Sequence, residues 1–252
     1  MSDLADNPND NNPASGSNDD ETNSAYLTLA ELRQALRSGD GLAPITILHL
    51  DACSMNTLEL AYDLRDHVNY LISYQCLGWS SFLYDSYAQI LNSIIEPRAA
   101  AVQIAARYAE EHNDRRAYTV SVLDLSSAGK VKEALEQLAE KLIQLYDDQS
   151  HPTLHAIREQ VQTFDSNINE RISDGINQSY EPYVDLKDWA ELLRNAALNP
   201  DVTAQANTLL NEISSLVIDN FYSMMHPMRT RSGSIASTGF QLSTPSPPIR
   251  DC

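Results

Sequence analysis

A chain of 252 residues is long enough for one large domain with a hydrophobic core, or for two small ones. Its formal net charge of −18 at pH 7 argues against nucleic acid and anionic membranes as partners, and makes a cationic partner or a basic peptide substrate electrostatically easier. Three cysteines (Cys53, Cys76 and Cys252) do not make a disulfide scaffold, and no apolar run reaches the roughly 18 residues that a membrane helix needs.

The amino terminus, Met1-Ser-Asp-Leu-Ala-Asp6, has neither a basic start nor an apolar core. A secretory signal peptide needs both features. From the chain as written we expect a cytoplasmic protein, and a secreted one if an upstream signal segment is missing from it.

Both ends of the chain have a composition that is typical of disorder. Residues 1–24 are rich in Asp, Asn, Ser and Pro and carry six acidic groups but no basic one, while residues 226–252 are rich in Ser, Thr, Pro and Arg. Such segments bury too little apolar surface to offset the entropy of ordering. We therefore predict a disordered acidic tail over 1–24, a folded domain over 25–225 and a disordered Ser/Pro-rich tail over 226–252.

Between these tails, hydrophobic periodicity predicts alternating strands and helices. Thr28 and Glu31 have the spacing of a capping box, which favours a helix that starts at Thr28. The predicted strands are 45–50, 70–73 and 118–123. The predicted helices are 28–37, 56–67, 89–95, 98–111, 129–147, 154–163, 186–196 and a final one that Asp201 caps.

Strands that alternate with helices in this way are typical of parallel pairing through right-handed crossovers. The predicted fold class is therefore α/β, with a parallel sheet flanked by helices. Three strands are few for so many helices. We expect either a very small sheet or a sheet that is incomplete at its N-terminal side in this chain.

The predicted strand over 45–50 stops abruptly at Asp51-Ala52-Cys53, and the carboxyl end of a strand is where open α/β sheets place their chemistry. Residues two apart in a strand point the same way, so His49, Asp51 and Cys53 share a face. A straight strand places Asp51 roughly 7 Å and His49 roughly 13 Å from Cys53. A general base must come within about 3 Å of the thiol or reach it through one water. Cys53 is therefore a candidate nucleophile, whereas His49 is too far away to be its base and is expected to be a buried strand histidine.

Other candidate sites carry weaker signals. His151 and His155 have helical spacing, but a proline separates them and no further ligand converges on the pair. Cys76 follows the second strand and could form a redox pair with Cys53, although an ordinary loop cysteine is the simpler interpretation. No phosphate-binding glycine loop is present. We predict no metal and no cofactor, and the sequence does not indicate whether calcium is required.

The most specific segment is Leu50-Asp-Ala-Cys-Ser-Met-Asn-Thr-Leu-Glu-Leu-Ala-Tyr-Asp-Leu64, followed by Tyr70-Leu-Ile-Ser73 and Gly78-Trp79. It resembles the clostripain family of cysteine peptidases, whose pattern is Asp-x-Cys-x-Met-x-x-x-Glu-x-Ala-Tyr-Glu-Leu, a short strand ending in Ser, and Gly-Trp-x-Tyr. The later segments Tyr118-Thr-Val-Ser-Val-Leu-Asp-Leu125 and Tyr183-Val-Asp-Leu-Lys-Asp-Trp-Ala190 also match. The resemblance therefore covers most of the predicted domain.

This resemblance implies a caspase-like α/β fold and a Cys–His dyad that cleaves peptides after Arg or Lys. Cys53 matches the nucleophile, and Asp51 matches an acid that lines the pocket for the basic side chain. Both assignments fit the residue chemistry. A carboxylate can hold a guanidinium through two hydrogen bonds, and a backbone N–H at a strand end can stabilise an oxyanion.

The chain departs from the family at the base. The family's histidine lies in a His-Gly turn on an earlier strand, whereas no histidine precedes His49 here. The stretch between Ser73 and Gly78 is also shorter than in the family and lacks its acidic residue. Because a thiol without a nearby base is mostly protonated at pH 7, the resemblance implies a peptidase portion that is incomplete or inactive alone, to which a second chain could supply the histidine. The alternative is a non-catalytic pseudoenzyme that acts as an acidic interaction domain.

Overall fold

The computed structural model describes residues 16–20, 25–37, 43–75, 78, 82–93, 96–113, 118–146, 151–164, 183–223 and 241–243. Its strands, β1 to β9 in chain order, are Gly16–Asp20, Ala25–Thr28, Ile45–His49, Val68–Ser73, Tyr118–Asp124, Thr163–Phe164, Tyr183–Asp185, Val217–Ser223 and Gln241–Ser243. Its α-helices, α1 to α8 in chain order, are Leu29–Arg37, Leu58–Leu64, Tyr84–Asn92, Pro97–His112, Ala128–Leu145, His151–Gln160, Leu186–Ala196 and Pro200–Leu216.

The central sheet has the strand order β3-β4-β5-β8 and is flanked by helices, which confirms the predicted α/β class. The pairing is parallel between β3 and β4 but antiparallel between β4 and β5 and between β5 and β8, so the expectation of a uniformly parallel sheet is wrong. Helix α2 connects β3 to β4 and brings the chain back to the end of the sheet at which β3 starts, so the two strands run parallel. Two helices, α3 and α4, join β4 to β5, so β5 starts at the edge where β4 ends.

Strand β8 is missing from the sequence prediction. It follows α8 without a loop, and its residues pair along β5, with Asn220 opposite Ser121. Its β-branched and aromatic residues, Val217, Ile218 and Phe221, favour a strand, but the helical periodicity of the preceding segment conceals where the helix ends. The sheet therefore has more strands than the sequence predicted.

Two apolar layers cover the two faces of this sheet. Leu71 and Leu123 face a core formed with α2, α5, α7 and α8, whereas Ile72, Val120 and Val122 face a second core formed with α3 and α4. Adjacent residues of β4 thus enter different cores, as the alternation of side chains in a strand requires. The result is a three-layer arrangement of helix, sheet and helix.

Strand β3 lies at an edge of the central sheet and is only partly buried, although the sequence predicted a buried strand. Within the described part of the chain β3 pairs with β4 alone, with Ile47 opposite Tyr70. Ile45, at its start, is 39% exposed. Strand β3 is apolar in composition, but no described strand pairs with its outer edge.

Short strands form within both segments that were predicted to be disordered. Residues 16–20 form β1, antiparallel to β2, and residues 241–243 form β9, antiparallel to β7. In both cases backbone pairing supplies the hydrogen bonds, which composition does not reveal. The remaining predictions of disorder fall outside the described residues, and the domain boundaries stay a prediction.

Helix starts follow local side-chain chemistry. The Thr28–Glu31 capping box is confirmed, because the Thr28 N–H donates to Glu31 Oε2 (2.9 Å) and the Glu31 N–H donates to Thr28 Oγ1 (3.2 Å). The hydrogen bond from the Thr28 N–H lowers the pKa of Glu31, with a smaller contribution from the Thr28 hydroxyl, which also donates to Glu31 Oε2 at 2.8 Å. Helix α8 is capped by Asn199, whose Oδ1 accepts from the Val202 N–H at 2.8 Å, and not by Asp201 as predicted. Asp201 instead lies in the first turn, where its charge favours the helix dipole.

A buried chain of hydrogen bonds crosses three strands of the sheet. Gln75, just beyond β4, donates from Nε2 to Ser121 Oγ at 2.6 Å, and Ser121 Oγ donates to Asn220 Oδ1 at 2.8 Å. We call Gln75, Ser121 and Asn220 the polar ladder. Next to it, Ser73 Oγ donates to Asn56 Oδ1 at 3.0 Å. Of the described helices, none is both long and apolar enough to cross a bilayer.

Candidate active site

The segment between β3 and α2 forms the turn that carries Cys53. It is tied to β4 at both ends, because the Leu50 N–H donates to Ile72 O and the Asn56 N–H donates to Tyr74 O, both at 3.0 Å. Within it, Ser54 has φ 56°, a left-handed conformation that costs a non-glycine residue about 1 kcal/mol. Regular strand geometry ends at His49, and residues 52–54 form a bend and turn, so the rule that Cys53 shares a face with the strand residues does not apply to it.

The sulfur of Cys53 lies beside the backbone of Gly78. The Gly78 N–H donates to Cys53 Sγ at 3.4 Å, and the thiol is 3.8 Å from Gly78 O. Cys53 is a free, partly buried cysteine. Among the residues that the structure describes, the hydrogen bonds of its sulfur go to Gly78 and to no histidine.

The loop after β4 approaches the backbone of the Cys53 turn at Gly78. A Cβ at Gly78 would lie 3.4 Å from Tyr74 Cδ2 and 3.7 Å from the carbonyl carbon of Ala52, which are ordinary van der Waals contacts. The position therefore has room for alanine as well as for glycine. The sequence identified Gly78 only as part of a motif and gave no signal that it contacts Cys53.

Asp51 is exposed, and its carboxylate Oδ2 accepts a hydrogen bond from the hydroxyl of Tyr84 at the start of α3. This hydrogen bond raises the pKa of Tyr84 to about 12, with smaller contributions from burial and from the negative charge of Asp51. The sequence analysis missed Tyr84. The available signal was the run of aromatic residues over 82–87, which follows the Gly-Trp motif.

His49 is enclosed by aromatic rings. Its Nε2 shares a hydrogen bond of 2.6 Å with Tyr74 Oη, and the rings of Tyr87 and Phe82 lie 5.5 and 5.8 Å from its centroid. Burial lowers the pKa of His49 to about 4, because desolvation penalises the charged ring. His49 is a strand histidine, as expected, and is neutral at pH 7 and bonded to Tyr74, but its side chain is partly rather than fully buried.

His49 and Asp51 line one cavity of about 670 Å³ between the edge strand β3 and helices α3 and α4. Tyr84, Tyr87 and apolar residues of both helices form the rest of its wall. The expected common orientation of His49 and Asp51 therefore appears in the structure. Cys53 does not line this cavity, and its sulfur lies beside Gly78 instead.

The weaker candidate sites gain no support. His155 Nδ1 lies 3.8 Å from Glu159 Oε1 on the surface of α6, and the described residues contain no group of three potential metal ligands. The side chain of His151 is outside the described set. Cys76 and Cys252 lie outside the described residues too, and the redox pair of Cys76 with Cys53 stays a prediction.

A thiol in a turn between a strand and a helix, next to a backbone N–H and two residues from an exposed carboxylate, is an arrangement suited to nucleophilic attack on a polar substrate. The sequence model of the clostripain family, Peptidase_C11, matches residues 6–242. The chain therefore belongs to the clostripain family and is a cysteine protease domain. None of the curated proteins matches it by sequence.

Solved structures share this fold at low sequence identity. A B. fragilis cysteine protease has a TM-score of 0.57 at 18% identity, with 89% of this chain and 86% of that chain covered. A clostripain from Bacteroides thetaiotaomicron ATCC 29148, in complex with the peptide inhibitor BTN-VLTK-AOMK, has a TM-score of 0.59 at 17% identity, with coverage of 86% of each chain. A secreted C11 cysteine protease from Bacteroides thetaiotaomicron, iotapain, has a TM-score of 0.61 at 17% identity.

The extent of the match differs between these neighbours. The match covers 86% of the B. fragilis chain but only 56% of the iotapain chain. The match to iotapain includes 88% of this chain. It also spans 56% of the chain of an inactive zymogen C11 protease from Parabacteroides distasonis, at 17% identity and a TM-score of 0.57. The fold described above is therefore shared with chains of quite different length.

Proposed function

We propose that this chain is the nucleophile-bearing part of a cysteine endopeptidase that cleaves after lysine or arginine. Cys53 is the nucleophile, and Asp51 binds the basic side chain of the substrate. The observation that carries the proposal is the position of Cys53 Sγ, in a turn after a strand and 3.4 Å from the Gly78 N–H. Membership of the clostripain family supports the same chemistry.

In the proposed reaction, the sulfur of Cys53 forms a bond to the carbonyl carbon of the scissile peptide while its proton passes to a base. Backbone N–H groups near the sulfur stabilise the oxyanion that develops. The carbon–nitrogen bond then breaks, and the leaving amine takes the proton from the base. Water hydrolyses the thioester and regenerates the thiol.

The base is a histidine that a second chain supplies. Among the described residues, β3 is hydrogen-bonded on one side only, to β4, and its outer backbone groups are available to another strand. A strand added there would run alongside the segment that leads into Asp51 and Cys53. This geometry supports a proteolytic site completed by assembly, with the chain alone having little activity.

The substrate preference follows from charge. Asp51 is an exposed carboxylate two residues from the nucleophile, in a protein with a net charge of −18. A carboxylate in this position can pair with an ammonium or a guanidinium group. The inhibitor named with the Bacteroides thetaiotaomicron clostripain is BTN-VLTK-AOMK, whose letters VLTK end in the code for lysine.

Covalent labelling of Cys53 tests the proposal. Two peptide acyloxymethyl ketones, one ending in lysine and one in leucine, are incubated with the chain, and adducts are quantified by intact-protein mass spectrometry. We expect faster labelling by the lysine reagent, loss of labelling in Cys53→Ala, and loss of the lysine preference in Asp51→Asn. Asp66→Asn is the matched control, because the Asp66 side chain is 69% exposed and pairs with Arg65 at 3.3 Å. Equal labelling of Cys53→Ala and the unmodified protein would exclude Cys53 as the nucleophile.

A second candidate is a non-catalytic interaction domain that keeps the family fold. It is favoured by one observation: among the described residues, His49 is bound to Tyr74 and no histidine contacts the sulfur. This alternative predicts that neither reagent labels Cys53 faster than a general thiol alkylator does. It also predicts that Cys53→Ala binds protein partners as the unmodified chain does. A lysine-selective adduct on Cys53 would rule it out.

A further inference from the structure

Tyr84 fixes the carboxylate that the proposed function assigns to substrate binding. Its side chain is 58% exposed, yet its ring is held on both sides, stacked on Phe82 with centroids 5.8 Å apart and edge-to-face with Tyr87 at 6.0 Å. From this position the hydroxyl donates to Asp51 Oδ2. Ring packing therefore directs the hydroxyl, so the contact does not depend on a freely moving surface side chain.

The side chains of arginine and lysine bind a carboxylate in different ways. A guanidinium is planar and pairs best through two parallel hydrogen bonds, one to each carboxylate oxygen. An ammonium is a compact point charge that is satisfied by one oxygen. Each carboxylate oxygen has two acceptor sites, so a hydroxyl bonded to one oxygen leaves the single contact of an ammonium intact but competes with one arm of the guanidinium fork.

We infer that Tyr84 is a specificity-determining residue that biases the Asp51 site towards lysine and against arginine, by occupying Oδ2. The inference rests on the proposed function, because it assumes that Asp51 binds the basic side chain. Tyr84 holds the Asp51 carboxylate in place and leaves its other oxygen, Oδ1, to contact the substrate. Removal of the hydroxyl alone opens both oxygens to a guanidinium without changing the charge of the site.

The hydroxyl keeps this role over a wide pH range. The hydrogen bond to Asp51 raises the pKa of Tyr84 to about 12, so the phenol remains a donor at pH 9. The wall next to it continues into the apolar cavity through Tyr87 and Leu91. The methylene groups of a long basic side chain can therefore pack against this wall while its charged end meets Asp51.

The experiment compares acyloxymethyl ketones that differ only in a final lysine, arginine or leucine, and measures kinact and KI for Cys53 on the full chain. It is run at pH 9, above the ordinary pKa of about 8.5 of a cysteine thiol, so that labelling does not require the base. The test variant is Tyr84→Phe, which keeps the ring. The control variant is Tyr222→Phe, which removes a hydroxyl from an exposed tyrosine on β8, away from Asp51.

We expect the unmodified chain to favour lysine over arginine, and Tyr84→Phe to shift that ratio about fivefold towards arginine through KI. Tyr222→Phe should leave the ratio unchanged. If Tyr84→Phe keeps both the ratio and the preference for basic over leucine reagents, Tyr84 does not set specificity although Asp51 can still bind the substrate. If the unmodified chain shows no preference for basic reagents over leucine, or no Cys53-dependent labelling, the proposed function fails and this inference fails with it.

Discussion

The N–H of Gly78 lies 3.4 Å from the sulfur of Cys53, across 25 residues of sequence. Two separate loops thus meet at the proposed nucleophile: the turn after β3 and the loop after β4. A backbone donor is well suited to this position, because it cannot rotate away or change its charge. The loop after β4 therefore takes part in positioning the sulfur.

The first prediction concerns this donor. Gly78→Pro removes the N–H, and we expect the alkylation of Cys53 by iodoacetamide at pH 8 to slow by about fivefold, since one hydrogen bond to the reacting sulfur is lost. Gly78→Ala is the matched control, because it keeps the N–H and its Cβ would be in ordinary contact with Tyr74 at 3.4 Å. Mass spectrometry gives both rates, and circular dichroism checks that both variants fold. Equal rates in the two variants would contradict a role for the N–H.

The second prediction concerns His49 and pH. An unfolded histidine takes up its proton near pH 6.5, whereas burial lowers the pKa of His49 to about 4 in the folded state. Between these values the unfolded state binds more protons, so stability is complete above pH 6.5 and falls as the pH drops towards 4. At about 1.4 kcal/mol per pKa unit, the full loss is about 3 kcal/mol.

Urea unfolding at pH 7 and at pH 4.5 measures this loss, and the variant His49→Gln, which cannot take up the proton, should lose less stability over the same interval. His155→Gln is the control, because the His155 side chain is 63% exposed. A loss in His49→Gln as large as in the unmodified protein would show that other groups carry the pH dependence.

The third prediction concerns the polar ladder. Ser121→Ala removes both the acceptor of Gln75 and the donor to Asn220 from a buried site, and we expect a loss of about 2 kcal/mol in the free energy of unfolding. Ser215→Ala is a control on the surface of α8, where the serine hydroxyl bonds only to Asn211 O at 3.2 Å. Its expected loss is below about 0.5 kcal/mol. Similar losses at both sites would mean that the ladder is not buried in solution.

The fourth prediction concerns the end of α7. Ala197 follows the helix with φ 48°, an exposed left-handed position that glycine adopts without strain. Ala197→Gly should raise the melting temperature, with a gain of about 1 kcal/mol in stability. Ala196→Gly, one residue earlier in the last helical turn, should instead cost about 1 kcal/mol. Shifts of the same sign in the two variants, followed by calorimetry, would contradict the assigned backbone conformation.

Local features could be predicted from the sequence because their determinants are close together. The capping box of Thr28 and Glu31 spans three residues, and the position of His49 in a strand follows from the apolar residues on either side of it. The helix cap at Asn199 was also accessible, because Pro200 favours the first helical position and so indicates a cap one residue before it. The fold class followed from the alternation of helical and strand patterns.

The contacts that build the site could not be predicted in this way. Gly78 reaches Cys53 across 25 residues, and Tyr84 reaches Asp51 across 33. Such contacts depend on how the loops close over the sheet, which periodicity does not encode. The antiparallel pairing of β5 was also missed, although the two helices between β4 and β5 were predicted, because the alternation of strand and helix patterns does not by itself fix the direction of a strand.

The polar ladder has a consequence for Cys53, which lies outside it. Gln75 stands three residues before Gly78, and its hydrogen bond to Ser121 fixes the end of β4 against β5. A slip of one residue between these strands would send Leu71 and Ile72 into each other's cores and break that hydrogen bond. The register of β4 therefore sets where the segment that leads to Gly78 leaves the sheet. A deletion within residues 68–75 should move the Gly78 N–H away from the sulfur, even though no such deletion touches Cys53.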